Sequence, residues 1–295
     1  MSRIGFIGLG NMGGPMAANL VRVGHEVAGF DLVPSSCEAA KRDGVAIAPS
    51  ALDAVAGADA IVTMLPAGKH VVGVWTEIVS AAPPGTLLVD CSTIDVENAR
   101  AAHGLASGRG LPSLDAPVSG GTVGAKGASL TFMVGGSAEA FSKGESILAR
   151  MGRRVVHCGE AGAGQAAKIC NNMILGISMI AISEGFVLGE KLGLTHQALF
   201  DVASTSSGSC WALTTHCPVP GPVPTSAANN GYKPGFATAL MLKDLMLSQQ
   251  AADGAGAVTP LGAKAAALYA EFEKAGHGGD DYSAIVTFLR ERAGA

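Results

Sequence analysis

The sequence is poor in charged and aromatic residues. Charged side chains make up 15% of the 295 residues, aromatic side chains make up 5%, and the formal net charge is −4. Nucleic-acid binding depends on clustered basic residues, and often on rings that stack on bases, so this composition argues against nucleic acid as a partner. The scarcity of charge favours a large buried core, and the length is typical of two domains.

Paired cysteines are also lacking. The six cysteines include no Cys-x-x-Cys pair, and no group of cysteines and histidines has the spacing of a zinc site. We therefore expect reduced thiols in a cytoplasmic protein, and no metal ion. The chain begins MSRIGFIG and enters a predicted strand at once, so we expect neither a secretory nor a transit segment.

Short β-branched runs alternate with helical stretches through the first half of the chain. The runs predicted as strands are 4–8, 26–31, 60–65, 86–92, 113–120, 130–136 and 154–159. The early runs are almost continuously apolar, as is typical of parallel strands that are covered on both faces. Beyond them only helical patterns follow. The pattern predicts a Rossmann-type doubly wound α/β domain at 1–162, followed by an all-helical domain at 163–295.

One long apolar run would lead into the helical domain. It opens with GAGQAAKICNN at 162–172 and continues to residue 190. Its length raises the question of a membrane span, but Lys168, Asn172 and Glu184 lie within it, and they favour a buried helix of a soluble protein. Further along the chain, the Pro-rich segment 217–235 is predicted to be irregular. Trp211 is predicted to pack in the core.

The motif GLGNMG at residues 8–13 predicts a dinucleotide-binding turn. It follows the first predicted strand, opens a helix, and is followed by Asp31 at the end of the next strand. In such a turn, the first glycine permits the tight bend, the second lets the backbone approach a pyrophosphate, and the third allows close helix packing. A turn without any ligand is the alternative. The predicted cofactor contacts in the motif are Gly8, Gly10, Asn11, Met12 and Gly13.

Asp31 predicts NAD rather than NADP. A carboxylate at this position accepts hydrogen bonds from the adenosine ribose hydroxyls and repels a 2′-phosphate. The next residues, Leu32, Val33 and Pro34, provide no arginine that would hold such a phosphate. A solvated charge at the end of a strand is the alternative.

Two further strand ends carry residues at the edge where doubly wound sheets bind ligands. Met64, Leu65 and Pro66 are predicted to line the nucleotide crevice, and Thr93 to reach the nicotinamide ribose. The spacing supports another interpretation equally well, in which Ser92 and Thr93 cap the next helix.

Lys168 is a candidate proton acceptor. It lies four residues before Asn172, so the two side chains share one helix face. A desolvated lysine has a lowered pKa, and the oxidation of an alcohol by NAD requires a base for the hydroxyl proton. The turn SGGTVGAKG at 119–127 would fit an anionic substrate. Helix periodicity and composition alone favour plainer interpretations: a lysine that reaches solvent, and a mobile glycine loop.

Three segments resemble the signature motifs of the β-hydroxyacid dehydrogenases. They are FIGLGNMGGPMAANL at 6–20, DAPVSGG at 115–121 and GAGQAAKICNN at 162–172. The resemblance extends over essentially the whole chain, with the motifs in the expected order. It implies a Rossmann domain followed by a helical domain, a site in the cleft, and subunits that associate through the helical part as a homodimer or homotetramer.

The resemblance also implies roles for individual residues. Lys168 is similar to the family's catalytic lysine, and Asn172 is similar to its substrate-contacting asparagine. The loop that would hold the substrate carboxylate matches Ser119, Gly120 and Gly121. Near the cofactor, the resemblance places Phe236, Lys243 and Asp244.

The function implied by the resemblance is NAD-dependent oxidation of a small hydroxy acid, with 3-hydroxyisobutyrate as the expected substrate. A related reductase of tartronate, glyoxylate or succinate semialdehyde is the nearest alternative. A 6-phosphogluconate dehydrogenase is disfavoured by the short chain and by the few arginines in its helical half. A non-catalytic NAD-binding redox sensor would need no lysine at position 168.

Overall fold

The computed structural model describes residues 1–294, which form two compact units. The first unit is Met1–Lys168, and the second begins at Ile169. The sequence places the domain boundary at 162/163, directly before a long helix that starts at Ala163. The division into units falls a few residues later, inside the first turns of that helix.

The first unit is built on a nine-stranded sheet with the order β3-β2-β1-β4-β5-β6-β8-β7, in which β9 also pairs with β8. Its strands are β1 (Arg3–Ile7), β2 (Glu26–Phe30), β3 (Ala46–Ile47), β4 (Ala60–Thr63), β5 (Leu87–Asp90), β6 (Ser113–Asp115), β7 (Val118–Ser119), β8 (Leu130–Gly135) and β9 (Gly152–Gly159). Strands β1 to β6 are parallel, whereas β8 is antiparallel to β6 and β7. The order 3-2-1-4-5-6 is that of doubly wound dinucleotide-binding sheets, so the predicted fold is confirmed.

Helices cover both faces of this sheet. They are α1 (Gly13–Arg22), α2 (Pro34–Arg42), α3 (Ala51–Val55), α4 (Gly68–Ile78), α5 (Val96–Ser107), α6 (Gly121–Lys126) and α7 (Ala138–Leu148). Successive strand residues point to opposite faces. Phe6 and Val62 therefore belong to one apolar cluster, whereas their neighbours Ile7 and Ile61 belong to another. This double burial explains the continuous apolar runs of the early strands.

One predicted strand is divided in the structure. The run 113–120 forms β6 and β7, which are separated by Ala116 and Pro117. Proline has no backbone N–H to donate to a ladder, so it interrupts a strand. The two-residue strand β3 was not predicted, because a bridge of that length carries no recognisable period.

From Ala163 onward the described chain is helical, as predicted. The helices are α8 (Ala163–Lys191), α9 (His196–Ala203), α10 (Trp211–Thr214), α11 (Thr238–Ala255), α12 (Pro260–Phe272) and α13 (Ile285–Gly294). Short 3-10 turns lie at Ala227–Asn230 and Tyr282–Ala284, and a π-helical turn lies at Glu273–His277. The Pro-rich segment 217–235 is otherwise irregular, as expected.

Helix α8 is long and apolar enough to span a membrane by length and composition, with a mean hydropathy of 1.6 in its most apolar window. The core helix of a soluble protein passes the same test. Only 44% of that window is buried, however, and Ile174 and Leu188 are 63% and 60% exposed. The expectation of a buried helix is therefore wrong for one of its faces.

Candidate active site

The Gly-rich turn after β1 has the geometry that a pyrophosphate needs. Gly8 has a φ of +94°, and a Cβ added there would overlap the carbonyl oxygen of Met64. A Cβ on Gly13 would overlap the carbonyl oxygen of Gly8. By contrast, a Cβ on Gly10 would meet no atom within 4 Å, so the chain leaves open space in front of this residue. Gly8 and Gly13 thus occupy positions that admit no side chain, and the open space in front of Gly10 is compatible with the predicted contact to a pyrophosphate.

The N-terminus of α1 is also suited to an anion. Its N-cap residue, Met12, makes no side-chain capping hydrogen bond, and its first turn contains no acidic residue. Asn11, just before it, is exposed. A helix start with neither a capping side chain nor an acidic residue in its first turn suits an anion, because its N–H groups and the positive end of its dipole favour negative charge.

Asp31 is bonded to the Gly-rich turn. One carboxylate oxygen accepts a hydrogen bond from the Leu9 N–H at 2.6 Å, and the other accepts one from the Val33 N–H at 2.8 Å. Each carboxylate oxygen has a second lone pair, so the group can still accept from ribose hydroxyls. Leu32, which follows it, is 87% exposed and apolar. These residues fit an NAD ribose better than a 2′-phosphate.

The loops after β4 and β5 are joined by Ser92. Its hydroxyl accepts from the Leu65 N–H at 2.8 Å and donates to Asp90 Oδ1 at 2.6 Å. Thr63 Oγ1 donates to the same carboxylate oxygen at 2.7 Å. Helix α5 is capped by Asp95 instead, whose side chain accepts from the helix backbone. The alternative that Ser92 and Thr93 cap this helix is therefore wrong.

Asp90 is a buried carboxylate beneath these loops. Burial raises its pKa from 3.8 to about 6; hydrogen bonds from Ser92 and Thr63 oppose this rise, and the nearby charge of Asp115 adds to it. Its Oδ2 atom has no hydrogen-bond partner among the described residues. The loops that carry the predicted cofactor residues are therefore held by a group that can be protonated in mildly acidic solution.

The first turn of α8 is held by a second buried carboxylate. Asp115 Oδ1 accepts from the Gly162 N–H and Asp115 Oδ2 from the Gln165 N–H, both at 2.8 Å. The ring of His103 bonds to the same carboxylate at 2.9 Å. A carboxylate that accepts from N–H groups at a helix start satisfies them and complements the helix dipole. Asp115 is the first residue of the motif 115–121. Its hydrogen bonds therefore link this motif to the start of α8.

Lys168 is only 6% exposed, so the alternative of a lysine that extends into solvent is wrong. In the predicted carboxylate loop, Ser119 ends β7 and is half-buried. Gly120 has a φ of +130° and Gly121 a φ of +58°, which glycine adopts without strain. The loop geometry thus explains both glycines.

In the second unit, Asn172 and Asp244 form a pair. Asn172, on α8, is 2% exposed, and its side-chain amide donates to Asp244 Oδ2, on α11, at 2.5 Å. Lys243 Nζ lies 3.4 Å from the other carboxylate oxygen. Asp244 thus bonds to the candidate substrate-binding amide, and its position near the cofactor stays a prediction.

Phe236 and Trp211 belong to one aromatic group. The ring of Phe236 lies edge-on to Tyr282, with centroids 5.8 Å apart. His216 stacks on Tyr282 with ring centroids 5.2 Å apart, and Trp211 stacks on His216 with centroids 5.6 Å apart. Trp211 is 54% exposed, so the interpretation that it packs in the core is wrong.

Asp281 holds both ends of the Pro-rich segment. Its Oδ1 atom bonds to His216, just before the segment, at 2.8 Å. Its Oδ2 atom accepts from the N–H groups of Gly235 and Phe236, at the far end, at 3.0 and 3.2 Å. This buried carboxylate thereby fixes the span of an otherwise irregular loop.

Sequence reasoning missed four buried polar residues that hold the candidate loops and helix starts. Asp90 lies near the end of the predicted strand 86–92, Asp115 and Gln165 lie inside the segments 115–121 and 162–172, and Asp281 lies near the start of the last helix. Their common signal is a polar residue within an apolar run, at a strand end or a helix start. Among residues 1–294, no group of three or more His, Cys, Asp and Glu side chains could hold a metal ion.

Comparison with known proteins agrees with this geometry. Residues 3–159 match the family profile described as the NAD binding domain of 6-phosphogluconate dehydrogenase, and residues 162–289 match the profile described as the NAD-binding domain of NADP-dependent 3-hydroxyisobutyrate dehydrogenase. A probable 3-hydroxyisobutyrate dehydrogenase of Mycobacterium bovis is 54% identical over 295 residues, which is all of both chains.

The names of two other similar proteins include L-serine. An NAD-dependent L-serine dehydrogenase of Pseudomonas aeruginosa is 45% identical over 97% of each chain. The solved structure of Mycobacterium tuberculosis 3-hydroxyisobutyrate dehydrogenase with L-serine has a TM-score of 0.96 and 54% identity, and it covers 98% of this chain and 99% of its own.

The fold, the Gly-rich turn and these matches define an NAD-dependent oxidoreductase. Within that class, the chain belongs to the β-hydroxyacid dehydrogenase family, which includes the 3-hydroxyisobutyrate dehydrogenases.

Proposed function

We propose that this protein oxidises 3-hydroxyisobutyrate to methylmalonate semialdehyde, a step of valine breakdown, in the cytoplasm. The observation that carries the proposal is the burial of Lys168 in the first turns of α8, 6% exposed, directly after the turn that Asp115 holds. A general base must be fixed within hydrogen-bond reach of the hydroxyl proton. A lysine on a turn secured by a buried carboxylate meets the requirement for a fixed position.

Lys168 Nζ takes the hydroxyl proton of the substrate in this proposal. NAD, when bound, would accept the hydride from the alcohol carbon of the substrate. The side chain of Asn172 lies one helical turn further along α8, and its bond to Asp244 fixes the orientation of its amide. The amide holds the substrate beside the lysine.

The Ser119–Gly120–Gly121 turn binds the substrate carboxylate. The two glycines present backbone N–H groups without side chains in front of them, and Ser119 adds a hydroxyl. Fixing the acid at one end and its hydroxyl at the other aligns the reacting carbon and makes the reaction effectively intramolecular.

The cofactor preference follows from Asp31. A carboxylate that is already held by the Leu9 and Val33 amides cannot turn away from a 2′-phosphate, and the exposed residues after it are apolar. We expect NAD to be preferred over NADP by at least tenfold in kcat/KM, since this difference needs only about 1.4 kcal/mol.

A substrate panel tests this function. 3-Hydroxyisobutyrate, L-serine, 3-hydroxypropionate and glycerate are each assayed with NAD and with NADP, and kcat/KM is compared. The proposal predicts the highest value for 3-hydroxyisobutyrate with NAD. A higher value for another acid would reassign the substrate, and a tenfold preference for NADP would overturn the role of Asp31.

L-Serine is the second candidate substrate. Relatives at 45% and 54% identity are named as acting on L-serine or as binding it. Serine carries a carboxylate and a β-hydroxyl, so the same turn, lysine and amide would hold it. A semialdehyde reductase for tartronate, glyoxylate or succinate semialdehyde would use the same groups in reverse, and a marked preference of the panel for reduction of these would favour it.

We also propose that the protein is a homodimer or homotetramer that associates through α8. Ile174 and Leu188 are exposed and lie two heptads apart, so they share one helix face. Light scattering of Leu188→Asp should show a smaller assembly than the wild type. Leu261→Asp, at a 65% exposed position on α12, is the matched control. An unchanged mass for Leu188→Asp would exclude this face.

A further inference from the structure

Gln165 is a buried glutamine whose side chain bridges two parts of the candidate site. It has no exposed surface. Its side-chain N–H donates to the Ser92 carbonyl at 2.7 Å, and its side-chain oxygen accepts from the Ile94 N–H at 3.1 Å. Its own backbone N–H donates to Asp115. The residue therefore ties the start of α8 to the loop 92–94, which contains Thr93.

These bonds continue into the other cofactor loop. Ser92 accepts from the Leu65 N–H through its hydroxyl and from Gln165 through its carbonyl. A continuous set of hydrogen bonds thus runs from Leu65, through Ser92, to the helix that carries Lys168. Hydrogen-bond networks of this kind restrict the groups that they join.

Gln165 is well placed to control Lys168. The two residues are three apart on α8, so they lie on neighbouring positions of one face and about 4.5 Å apart along the axis. A side chain bonded at both of its polar atoms limits how far this turn can shift or rotate against the loop 92–94. A displacement of about 1 Å in a reacting group can cost roughly 100-fold in rate.

We propose that Gln165 is a positioning residue that fixes Lys168 relative to the cofactor-binding loops. This inference rests on the proposed function, because it gives Lys168 the role of proton acceptor. Gln165 touches no reacting atom in this account; it acts through the turn that it anchors. A purely structural role would lower stability without a specific loss of turnover.

Two substitutions separate these roles. Gln165→Met keeps the shape of the side chain and removes both side-chain hydrogen bonds. Gln165→Glu reproduces them only when its carboxyl is neutral, since an ionised carboxylate cannot donate to the Ser92 carbonyl. Burial raises the pKa of a carboxyl group, so this variant should change state within the range of an activity assay.

Thr86→Val is the matched control. Thr86 is 2% exposed and donates a buried hydrogen bond to the Ala58 carbonyl at 2.7 Å. It lies directly before β5, at the amino-terminal ends of the parallel strands, whereas the candidate cofactor loops follow their carboxyl ends. This variant loses a comparable buried bond in the same unit but leaves the network around Ser92 intact.

Turnover and its pH dependence are the first readout. Gln165→Met should lower kcat by about 10-fold to 100-fold, with the KM for NAD within about threefold, whereas Thr86→Val should keep the wild-type kcat. For Gln165→Glu, kcat relative to the wild type should rise as the pH is lowered from 9 to 6. Wild-type kcat in Gln165→Met, or a pH-independent ratio for Gln165→Glu, would overturn the inference.

Hydrogen exchange in the cofactor-free protein gives a readout that is independent of activity. The Ile94 amide should exchange at least about tenfold faster in Gln165→Met than in Thr86→Val, as expected for the loss of a buried hydrogen bond. Equal exchange rates would show that the bridge does not hold the loop, and would overturn the inference. Full turnover in Lys168→Ala would overturn the proposed function. If Lys168→Ala is inactive but Gln165→Met is fully active, only the positioning role of Gln165 is overturned.

Discussion

Two buried carboxylates, one in each unit, have the same local structure and opposite pKa shifts. Asp90 and Asp281 are each followed two positions later by a serine whose N–H and hydroxyl bond to the carboxylate. Both are at most 2% exposed. Yet the pKa of Asp90 is raised to about 6, whereas the pKa of Asp281 lies below its ordinary value of 3.8.

The difference arises from the remaining partners. Burial pushes both pKa values upward, but at Asp281 the hydrogen bond and charge of His216 outweigh it, with help from Ser283. Asp90 has only the hydroxyl of Thr63 in the corresponding place, and the negative Asp115 lies nearby. Burial alone therefore does not decide the direction of the pKa shift of a carboxyl group; the hydrogen bonds and charges that face it decide it as well.

Substitution of Asp281 should lower the stability of the protein more than any other change considered below. Asp281→Ala removes the carboxylate that holds His216 and both ends of the Pro-rich segment, so we expect a loss of about 4 kcal/mol in the free energy of unfolding. Chemical denaturation at pH 7 measures it. Asp280→Ala, the neighbouring carboxylate with a 47% exposed side chain, is the control and should stay close to the wild type.

The sign of the pH dependence checks the same variant. A lowered pKa contributes stability that is present above the unfolded value near 3.8 and is lost as the pH falls through the folded value. The difference between wild type and Asp281→Ala should therefore shrink toward pH 3. A difference that grows as the pH falls below 3.8 would contradict the lowered pKa of Asp281.

Asp90→Asn should show the opposite trend. Because the folded pKa of Asp90 is raised from 3.8 to about 6, its contribution to stability is full below pH 3.8 and is lost as the pH rises through 6. The stability of Asp90→Asn relative to the wild type should therefore increase by on the order of 3 kcal/mol between pH 4 and pH 7. Denaturant titrations at several pH values measure this; a constant difference would contradict the raised pKa.

Asp244→Ala should have a weaker effect, and it tests the pair that Asp244 forms with Asn172 in the second unit. Asp244 bonds to the Asn172 amide, so its loss should leave that amide misoriented. We expect the KM for the hydroxy acid to rise about tenfold, an effect near 1.4 kcal/mol, with the KM for NAD changed less than threefold. Steady-state kinetics that showed the reverse split would assign Asp244 to the cofactor.

The sequence predicts features that depend on local spacing, but not pairs of residues that are distant in the chain. The Gly-rich turn, Asp31 and the parallel strands follow from local spacing, because the backbone of one strand–turn–helix unit determines them. The pairs Asn172–Asp244 and His216–Asp281 join residues that are far apart in the chain. No local period encodes such pairs, so the partners of Asp244 and Asp281 emerged only from the structure.

The exposure of apolar side chains was the second feature that the sequence did not predict. Trp211 and the outer face of α8 are apolar yet exposed, and hydropathy reports what a residue prefers rather than what covers it. Ser92 was considered only as a helix cap, because its partners Leu65, Asp90 and Gln165 lie in a loop, at the end of β5 and at the start of α8, and no local pattern joins these three places. The Rossmann topology was predictable; the buried network that supports its ligand edge was not.

In the proposed reaction the amine of Lys168 accepts the substrate proton, and chemical rescue of Lys168→Ala measures this role. We predict that kcat falls by roughly 100-fold or more, that NAD binding stays near wild type, and that added ethylamine restores turnover in proportion to its unprotonated form. Lys41→Ala, at an exposed position on α2, should behave as wild type. Wild-type turnover in Lys168→Ala, or an inactive variant that binds NAD normally but does not respond to any small amine, would contradict it.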